Sequence, residues 1–218
     1  MIAELGGGLY GFNGVHPRIG MEVWGYLLLS AGQAAFFDPL IDDETEPQLF
    51  SLIDSHNPPT VVVLLTNRHH YRSASLLVER YGARVLCQRA GLHEFNSGEP
   101  VTGFDLAQSG VELAHGVVVY RVGVLCPEEV AYHLPSHSAL VVGDAVVGAG
   151  QGRVGFVPDQ LMDDPPRTKA GLLARFDQLN RELKPQRLLL AHGGPLLDRG
   201  GEALGELIAA GGRTAFEL

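Results

Sequence analysis

The sequence predicts an α/β fold, in which blocks of strands are followed by amphipathic helices. The strongest observation is a continuous run of β-branched and leucine residues from Thr60 to Leu65, typical of a strand buried on both faces. A polar loop and a helical pattern follow it. A second β-rich block, residues 101–147, is also followed by a long helical pattern. This repeated order predicts two similar halves packed face to face in one domain, residues 1–218.

The first half is predicted to contain a hairpin and two strand–helix units. Turn residues separate aromatic and aliphatic runs, and apolar residues at helical spacing lie between capping residues and glycine or proline. The expected elements are strands at 23–29 and 34–37, a helix between Thr45 and Asn57, a strand at 60–65, a helix between Ser73 and Gly82, and a strand at 84–87.

The second half is predicted to be a run of short strands with a long helix and a terminal strand and helix. Asp164 is the expected N-cap of the long helix, because two prolines follow it in what would be the first turn. The expected elements are strands at 111–113, 117–122, 130–134 and 139–142, a helix from Asp164 to Pro185, a strand at 187–190 and a helix at 201–210.

Composition excludes several classes of protein. The chain has 16 basic and 25 acidic residues, a net charge of −9, and the basic residues form no patch or stripe, which disfavours nucleic acid and anionic membranes as partners. No apolar run reaches the length of a membrane span, and no secretory signal is recognisable at the N-terminus. The two cysteines lie far apart and are expected in the core. A cytoplasmic protein is predicted.

Four short motifs, in the same order, resemble the metallo-β-lactamase superfamily. The loop at residues 66–72 resembles its Thr-His-x-His-x-Asp-His signature, and residues 36–38 resemble the end of its N-terminal hairpin. Gly143-Asp144 and His192-Gly193 resemble its Gly-Asp and final His-Gly pairs. The resemblance implies an α/β, metallo-β-lactamase-like four-layer αββα sandwich and a site with two metal ions.

The ligand sets that the resemblance implies are incomplete in this chain. The first ion would have Asn67, His69, a position near Val124-Leu125 and Asp144, and the second would have Tyr71, Arg72, Asp144 and His192. Only two ligands of each set remain, whereas a catalytic zinc takes at least three protein ligands. Arg72 is permanently protonated and cannot bind a metal ion.

Two arrangements of the site follow. In the first, no metal binds, and Arg72, together with Arg68, provides the positive charge that pairs with Asp144. In the second, His69, Asp144 and His192 bind a single zinc or similar divalent ion, and the set is completed by His70, Asn67 or Cys126. The predicted catalytic residues are therefore His69, Asp144, His192 and Arg72, and the predicted metal ligands are His69, Asp144 and His192.

Two functions remain open at this point. The resemblance implies a hydrolase acting on an ester, lactone, thioester or phosphoester-type bond, in which Glu128 or Glu129 could serve as an acid, a base or a ligand. These two glutamates are more typical of solvated turn carboxylates. The alternative is a non-catalytic member of the fold that binds an anionic small molecule or regulates a partner. A homodimer is expected from the frequency of such assemblies.

Overall fold

A computed structural model describes residues 2–30, 32–106, 110–114, 116–213 and 215. The chain forms two compact units, Met1–Ala107 and Gln108–Leu218. Both units contain strands and helices, which is the α/β composition that the sequence predicts. Among these described residues, no helix is long and apolar enough to cross a membrane.

The first unit is built on a seven-stranded sheet in which the strands lie in chain order. Neighbours from β1 to β4 are antiparallel, and those from β4 to β7 are parallel. The elements are β1 Ile2–Gly6, β2 Leu9–Val15, β3 Glu22–Ser30, β4 Gln33–Phe37, α1 Glu46–His56, β5 Thr60–Leu64, α2 Ala74–Tyr81, β6 Arg84–Gln88 and β7 Val101–Phe104.

The core of this unit joins the sheet to α1 and α2. Leu49 of α1 and Leu77 of α2 pack with Val63 of β5, and Cys87 is also buried in this core, as predicted. The strand predicted at residues 60–65 is confirmed as β5, with its last four residues buried. Because parallel strands place their carboxyl ends at one edge of the sheet, the residues that follow β4 and β5 are neighbours.

The sequence did not reveal strands β1 and β2. Their glycines lower the strand propensity and hide the alternating pattern. Gly14 of β2 is required by close packing, since a Cβ atom there would lie 2.7 Å from an Asp42 carboxylate oxygen, and a Cβ atom at Gly8, in the turn between the two strands, would clash with the Leu29 carbonyl oxygen. Contacts with residues elsewhere in the chain therefore explain the composition of this strand pair.

The second unit contains a five-stranded sheet in the order β14-β11-β10-β9-β8, with a separate two-stranded sheet, β12-β13. Among the strand pairs described for this unit, β11–β14 is parallel and the others are antiparallel. The elements are β8 Val111–Ala114, β9 Val117–Arg121, β10 Val130–Leu134, β11 Ala139–Val142, β12 Val146–Gly148, β13 Val154–Phe156, α3 Pro165–Leu183, β14 Arg187–Leu190 and α4 Gly200–Ala209.

Helices α3 and α4 cover the core of the second unit. Leu172 and Phe176 of α3 and Leu204 of α4 pack with strand residues such as Leu188. The predicted N-cap of α3 is confirmed, because an Asp164 carboxylate oxygen accepts a hydrogen bond from the Arg167 backbone N–H at 3.2 Å. The order of strands and helices in this unit follows the sequence prediction, except that the two-stranded sheet β12-β13 was not predicted.

His133 makes the stability of the protein dependent on pH. Burial lowers the pKa of this half-buried β10 histidine, although the charge of Glu182 acts in the opposite direction. As the pH falls through the ordinary histidine pKa near 6.5, the unfolded chain takes up a proton before the folded chain does, so stability is lost. Between about pH 7.5 and 5.5, His133→Gln is expected to lose less stability than the wild type in urea unfolding.

Val118→Ala is the matched control for this experiment. Val118 is the half-buried β9 partner directly opposite His133, and it carries no ionisable group. We expect this variant to be less stable than the wild type at every pH, but with an unchanged dependence on pH. Equal pH dependence in His133→Gln and the wild type would contradict the assignment.

Candidate functional site

The loop after β5 is organised by a buried carboxylate, Asp38, which directly follows β4. One Asp38 carboxylate oxygen accepts a hydrogen bond from the Thr66 backbone N–H at 2.8 Å. The other accepts from the Thr66 hydroxyl at 2.6 Å and lies 2.8 Å from Nδ1 of His70. All three side chains are almost completely buried, with His70 only 4% exposed. Asp38 therefore holds the loop in place through three contacts.

This arrangement assigns the tautomer of His70. An ionised carboxylate can only accept hydrogen bonds, so the contact with Asp38 requires a proton on Nδ1 of His70. In the neutral imidazole, Nε2 then carries the lone pair and is the only ring atom that can bind a metal ion. A carboxylate that orients a histidine in this way is a common support for metal-binding histidines.

The adjacent histidine has a different environment. His69 is exposed, and its backbone N–H donates a 2.9 Å hydrogen bond to the side-chain oxygen of Asn67. Asn67 is buried and caps the short 3-10 turn Arg68–His70. Sequence reasoning selected His69, which stays a prediction, but the buried and oriented histidine of this loop is His70.

The two residues at the end of the loop serve structural roles. Tyr71 packs against the ring of Phe95, with ring centres 5.7 Å apart, and burial raises the pKa of its hydroxyl, so the phenol stays neutral. Arg72 donates from Nη1 to the backbone carbonyl oxygens of Trp24, at 3.0 Å, and Asp38, at 2.8 Å. The contact predicted between Arg72 and Asp144 stays a prediction.

In the second unit, Asp144 and His192 form a close pair. Strands β11 and β14 are parallel, with Val142 opposite Leu190, and each of the two side chains lies two residues beyond this pair. An Asp144 carboxylate oxygen lies 3.1 Å from Nε2 of His192, and their side chains are 24% and 17% exposed. The parallel register therefore brings together two residues that are 48 positions apart in the sequence.

The backbone around His192 is closely packed against β12. The carbonyl oxygen of His192 accepts a hydrogen bond from the Gly148 backbone N–H at 2.9 Å. A Cβ atom at Gly193, where φ is +85°, would lie 2.6 Å from the Cα of Gly148, so neither glycine leaves space for a side chain. This contact limits the movement of His192 relative to its strand.

The loop before β10 has no histidine at the position near Val124-Leu125, and the environment of its two glutamates differs from the prediction. Val124 packs over Gly171 of α3, where a Cβ atom would lie 2.8 Å from a Val124 methyl group. Glu128 and Glu129 are buried, with 1% and 0% exposure, so the expectation of solvated turn carboxylates is wrong. A Glu129 carboxylate oxygen accepts a 2.9 Å hydrogen bond from the Ala145 backbone N–H.

Sequence reasoning selected Asp144 and His192, named His70 and Glu129 only among several alternatives, and missed the role of Asp38. Asp38 could have been found from its position, because a carboxylate directly after a buried strand faces the loop of the parallel neighbour. No local signal distinguishes His70 from His69 or marks Glu129 as buried. Their environments depend on contacts with residues distant in the sequence.

Comparison with solved structures identifies the fold. A metallo-beta-lactamase from Pontibacter korlensis has a TM-score of 0.70 and 18% identity, covering 97% of this chain and 98% of its own. A metallo-beta-lactamase family protein from Thermus thermophilus has a TM-score of 0.66 and 21% identity, covering 95% and 80%. The metallo-beta-lactamase FIM-1 from Pseudomonas aeruginosa, in its mono-zinc form, has a TM-score of 0.69 and 14% identity, covering 96% and 95%.

Sequence comparison alone does not reach these proteins. No family model matches the chain, and no curated protein matches it. The structural similarity nevertheless extends over nearly the whole of the chain and of each related protein from Pontibacter and Pseudomonas. The predicted α/β fold class is therefore confirmed: the chain has the metallo-β-lactamase fold.

Proposed function

We propose that the protein is a hydrolase-like member of this fold that binds one zinc or similar divalent ion through His70, Asp144 and His192. The observation that carries the proposal is the pair of Asp144 and His192, whose facing atoms lie 3.1 Å apart. All three side chains carry an atom of a kind that zinc prefers as a ligand, an imidazole nitrogen or a carboxylate oxygen.

The geometry of the Asp144–His192 pair fits one ion. Bonds of 2.0 to 2.2 Å in a tetrahedral zinc site keep neighbouring ligand atoms about 3.3 Å apart. The observed separation of 3.1 Å needs only a small adjustment to reach this value. A neutral imidazole and a carboxylate also match the preference of zinc for nitrogen and oxygen ligands.

His70 is a better third ligand than His69. Its Nδ1 atom is held by Asp38, so its ring orientation and tautomer are set before a metal ion arrives. His69 is exposed, and its hydrogen bond to the side-chain oxygen of Asn67 is made by its backbone N–H and does not orient its ring. We therefore assign the role that sequence reasoning gave to His69 to its neighbour.

A second ion does not fit the loop. Asn67 uses its side-chain oxygen to cap a turn, and Tyr71 is a neutral phenol packed on Phe95. Arg72 adds a permanent positive charge and uses Nη1 to bind two backbone carbonyl oxygens. These residues replace three loop ligands, and this supports one ion instead of two.

A bound ion would supply Lewis acidity that polarises a carbonyl or phosphoryl oxygen. The protein groups would orient the reaction: Asp38 fixes the ring of His70, and the tight backbone around Gly148 fixes His192. We propose an ester, lactone, thioester or phosphoester-type bond as the target, in a small and anionic substrate. The net charge of −9 supports a small-molecule ligand over a nucleic acid or membrane surface.

The second candidate is a non-catalytic member of the fold that binds a small molecule or regulates a partner. It is favoured by one observation, the use of Asn67, Tyr71 and Arg72 in contacts that stabilise the loop. In that case the protein would bind no metal ion, and Arg72 would supply positive charge to an anionic ligand.

Zinc content distinguishes the two functions. Protein prepared without chelators is expected to contain about one equivalent of zinc per chain, by elemental analysis. His70→Gln is expected to lose most of this zinc because it removes a ligand, whereas His69→Gln, which changes the adjacent exposed residue, is expected to retain it. Zinc-free wild-type protein that also fails to bind added zinc would favour the non-catalytic function.

A further inference from the structure

Glu129 is a fully buried acidic residue next to a proposed metal ligand. Its exposure is 0%, and its Oε1 atom accepts a hydrogen bond from the backbone N–H of Ala145 at 2.9 Å. Ala145 directly follows Asp144, so this bond is one peptide unit away from the Asp144 side chain. A completely buried carboxylate is costly unless its contacts serve the structure or the site.

The register of the sheet explains why Glu129 reaches this position. Strands β10 and β11 are antiparallel, with Tyr132 opposite Val141 and Leu134 opposite Ala139. Extending this register beyond Tyr132 brings Glu129 opposite Asp144, at the end of the sheet where the ladder stops. Strand β11 ends at Val142. Beyond it, the Glu129 side chain joins the two segments by accepting the hydrogen bond from the Ala145 backbone N–H.

The backbone of Glu129 is itself fixed. Its carbonyl oxygen accepts hydrogen bonds from the backbone N–H groups of Val122, at 2.8 Å, and Gly123, at 2.9 Å. Its own N–H donates to the carbonyl oxygen of Cys126 at 3.0 Å. A side chain anchored on a rigid backbone can hold the Ala145 peptide in one orientation, which determines where the Asp144 carboxylate points.

We propose that Glu129 is a positioning residue that fixes the Asp144 carboxylate in the orientation that faces His192. This inference rests on the proposed function, because it assigns Glu129 to the support of the proposed zinc site. Glu129 does not bind the ion itself in this proposal. It acts through the Ala145 peptide, and it keeps the Asp144 carboxylate facing His192 before a metal ion binds.

Two substitutions at this position separate positioning from simple packing. Glu129→Met removes the acceptor of the Ala145 N–H and is expected to weaken zinc binding about 10- to 100-fold, the usual effect of losing a supporting contact. Glu129→Gln retains a side-chain oxygen at the same position and is expected to bind zinc as the wild type does. Zinc affinity is measured by competition with a chelator of known affinity.

Asn180→Leu is the matched control within the same unit. It also removes one hydrogen bond from a side chain to the backbone, since Asn180 Nδ2 donates to the carbonyl oxygen of Gly201 at 2.9 Å. We expect this variant to lose stability but to keep the zinc affinity of the wild type. If Asn180→Leu weakened zinc binding as much as Glu129→Met does, the effect would be general destabilisation and the proposal would be overturned.

A zinc-free measurement keeps this inference separate from the proposed function. Amide exchange followed by NMR is expected to show a protected Ala145 N–H in the wild type and in Glu129→Gln, and faster exchange in Glu129→Met. The imidazole nitrogen shifts of His192 are expected to change in Glu129→Met alone. If the wild type bound no zinc, the proposed function would fail. Independently of zinc, unchanged Ala145 exchange and unchanged His192 shifts in Glu129→Met would overturn the role of Glu129.

Discussion

Replacing Asp38 with alanine is expected to lower the free energy of unfolding by about 3 to 5 kcal/mol, because a buried hydrogen-bond donor left without an acceptor costs roughly 1 to 3 kcal/mol and three donors share this carboxylate. The substitution leaves the Thr66 N–H, the Thr66 hydroxyl and Nδ1 of His70 without their common acceptor. It also removes the group that orients His70, so zinc affinity is expected to fall about 10- to 100-fold. Urea unfolding and zinc competition measure the two effects.

Asp38→Asn separates the two roles of this residue. The amide keeps the size of the side chain and one acceptor for the Thr66 N–H, but its nitrogen can donate to Nδ1 of His70. That contact reverses the tautomer and puts the proton on Nε2, where it blocks metal binding. We therefore expect Asp38→Asn to retain more stability than Asp38→Ala while binding zinc equally poorly.

The control for both variants is Asp54→Ala. Asp54 is a half-exposed carboxylate that bonds to Arg80 and Tyr81, so its loss is expected to cost far less stability than the loss of Asp38, as is usual for surface ion pairs. Zinc binding should not change. If Asp38→Asn bound zinc as tightly as the wild type, His70 would not be oriented by Asp38 in the manner inferred here.

Arg72→Met is expected to lower the free energy of unfolding by about 2 to 4 kcal/mol, because it removes two charge-assisted hydrogen bonds to partly buried backbone carbonyl oxygens. These bonds join the end of the loop to Trp24 of β3 and to Asp38. Arg72 also has a φ of +44°, an unfavourable backbone conformation for a residue with a side chain, and these contacts offset that strain.

Arg68→Met is the matched control for this substitution. Arg68 belongs to the same loop, but its Nε atom lies 3.9 Å from a carboxylate oxygen of Glu94, which is half-exposed. Such a pair contributes at most about 1 kcal/mol. Urea unfolding of both variants measures the difference, and equal losses would contradict the structural role of Arg72.

Much of the fold could be predicted from the sequence because its main elements have strong local patterns. The apolar run of β5 is long, β-branched and uninterrupted, and α3 has both a capping aspartate and a buried stripe of regular spacing. Strands β1 and β2 were missed because glycines such as Gly11 and Gly14 interrupt their pattern. Those glycines reflect contacts with distant residues, which a local pattern does not record.

The sequence by itself determined most of the strand and helix order, the metallo-β-lactamase resemblance, and the positions of Asp144 and His192 after their strands. Only the tertiary structure decided which histidine of the loop is buried, and that Asp38, 32 residues away from His70, orients it. It also decided that Glu129 is buried against Ala145. The physical reason is that secondary-structure propensity and hydrophobic periodicity depend on residues close together in the sequence. Burial and hydrogen bonding at strand ends depend instead on the register between separate strands.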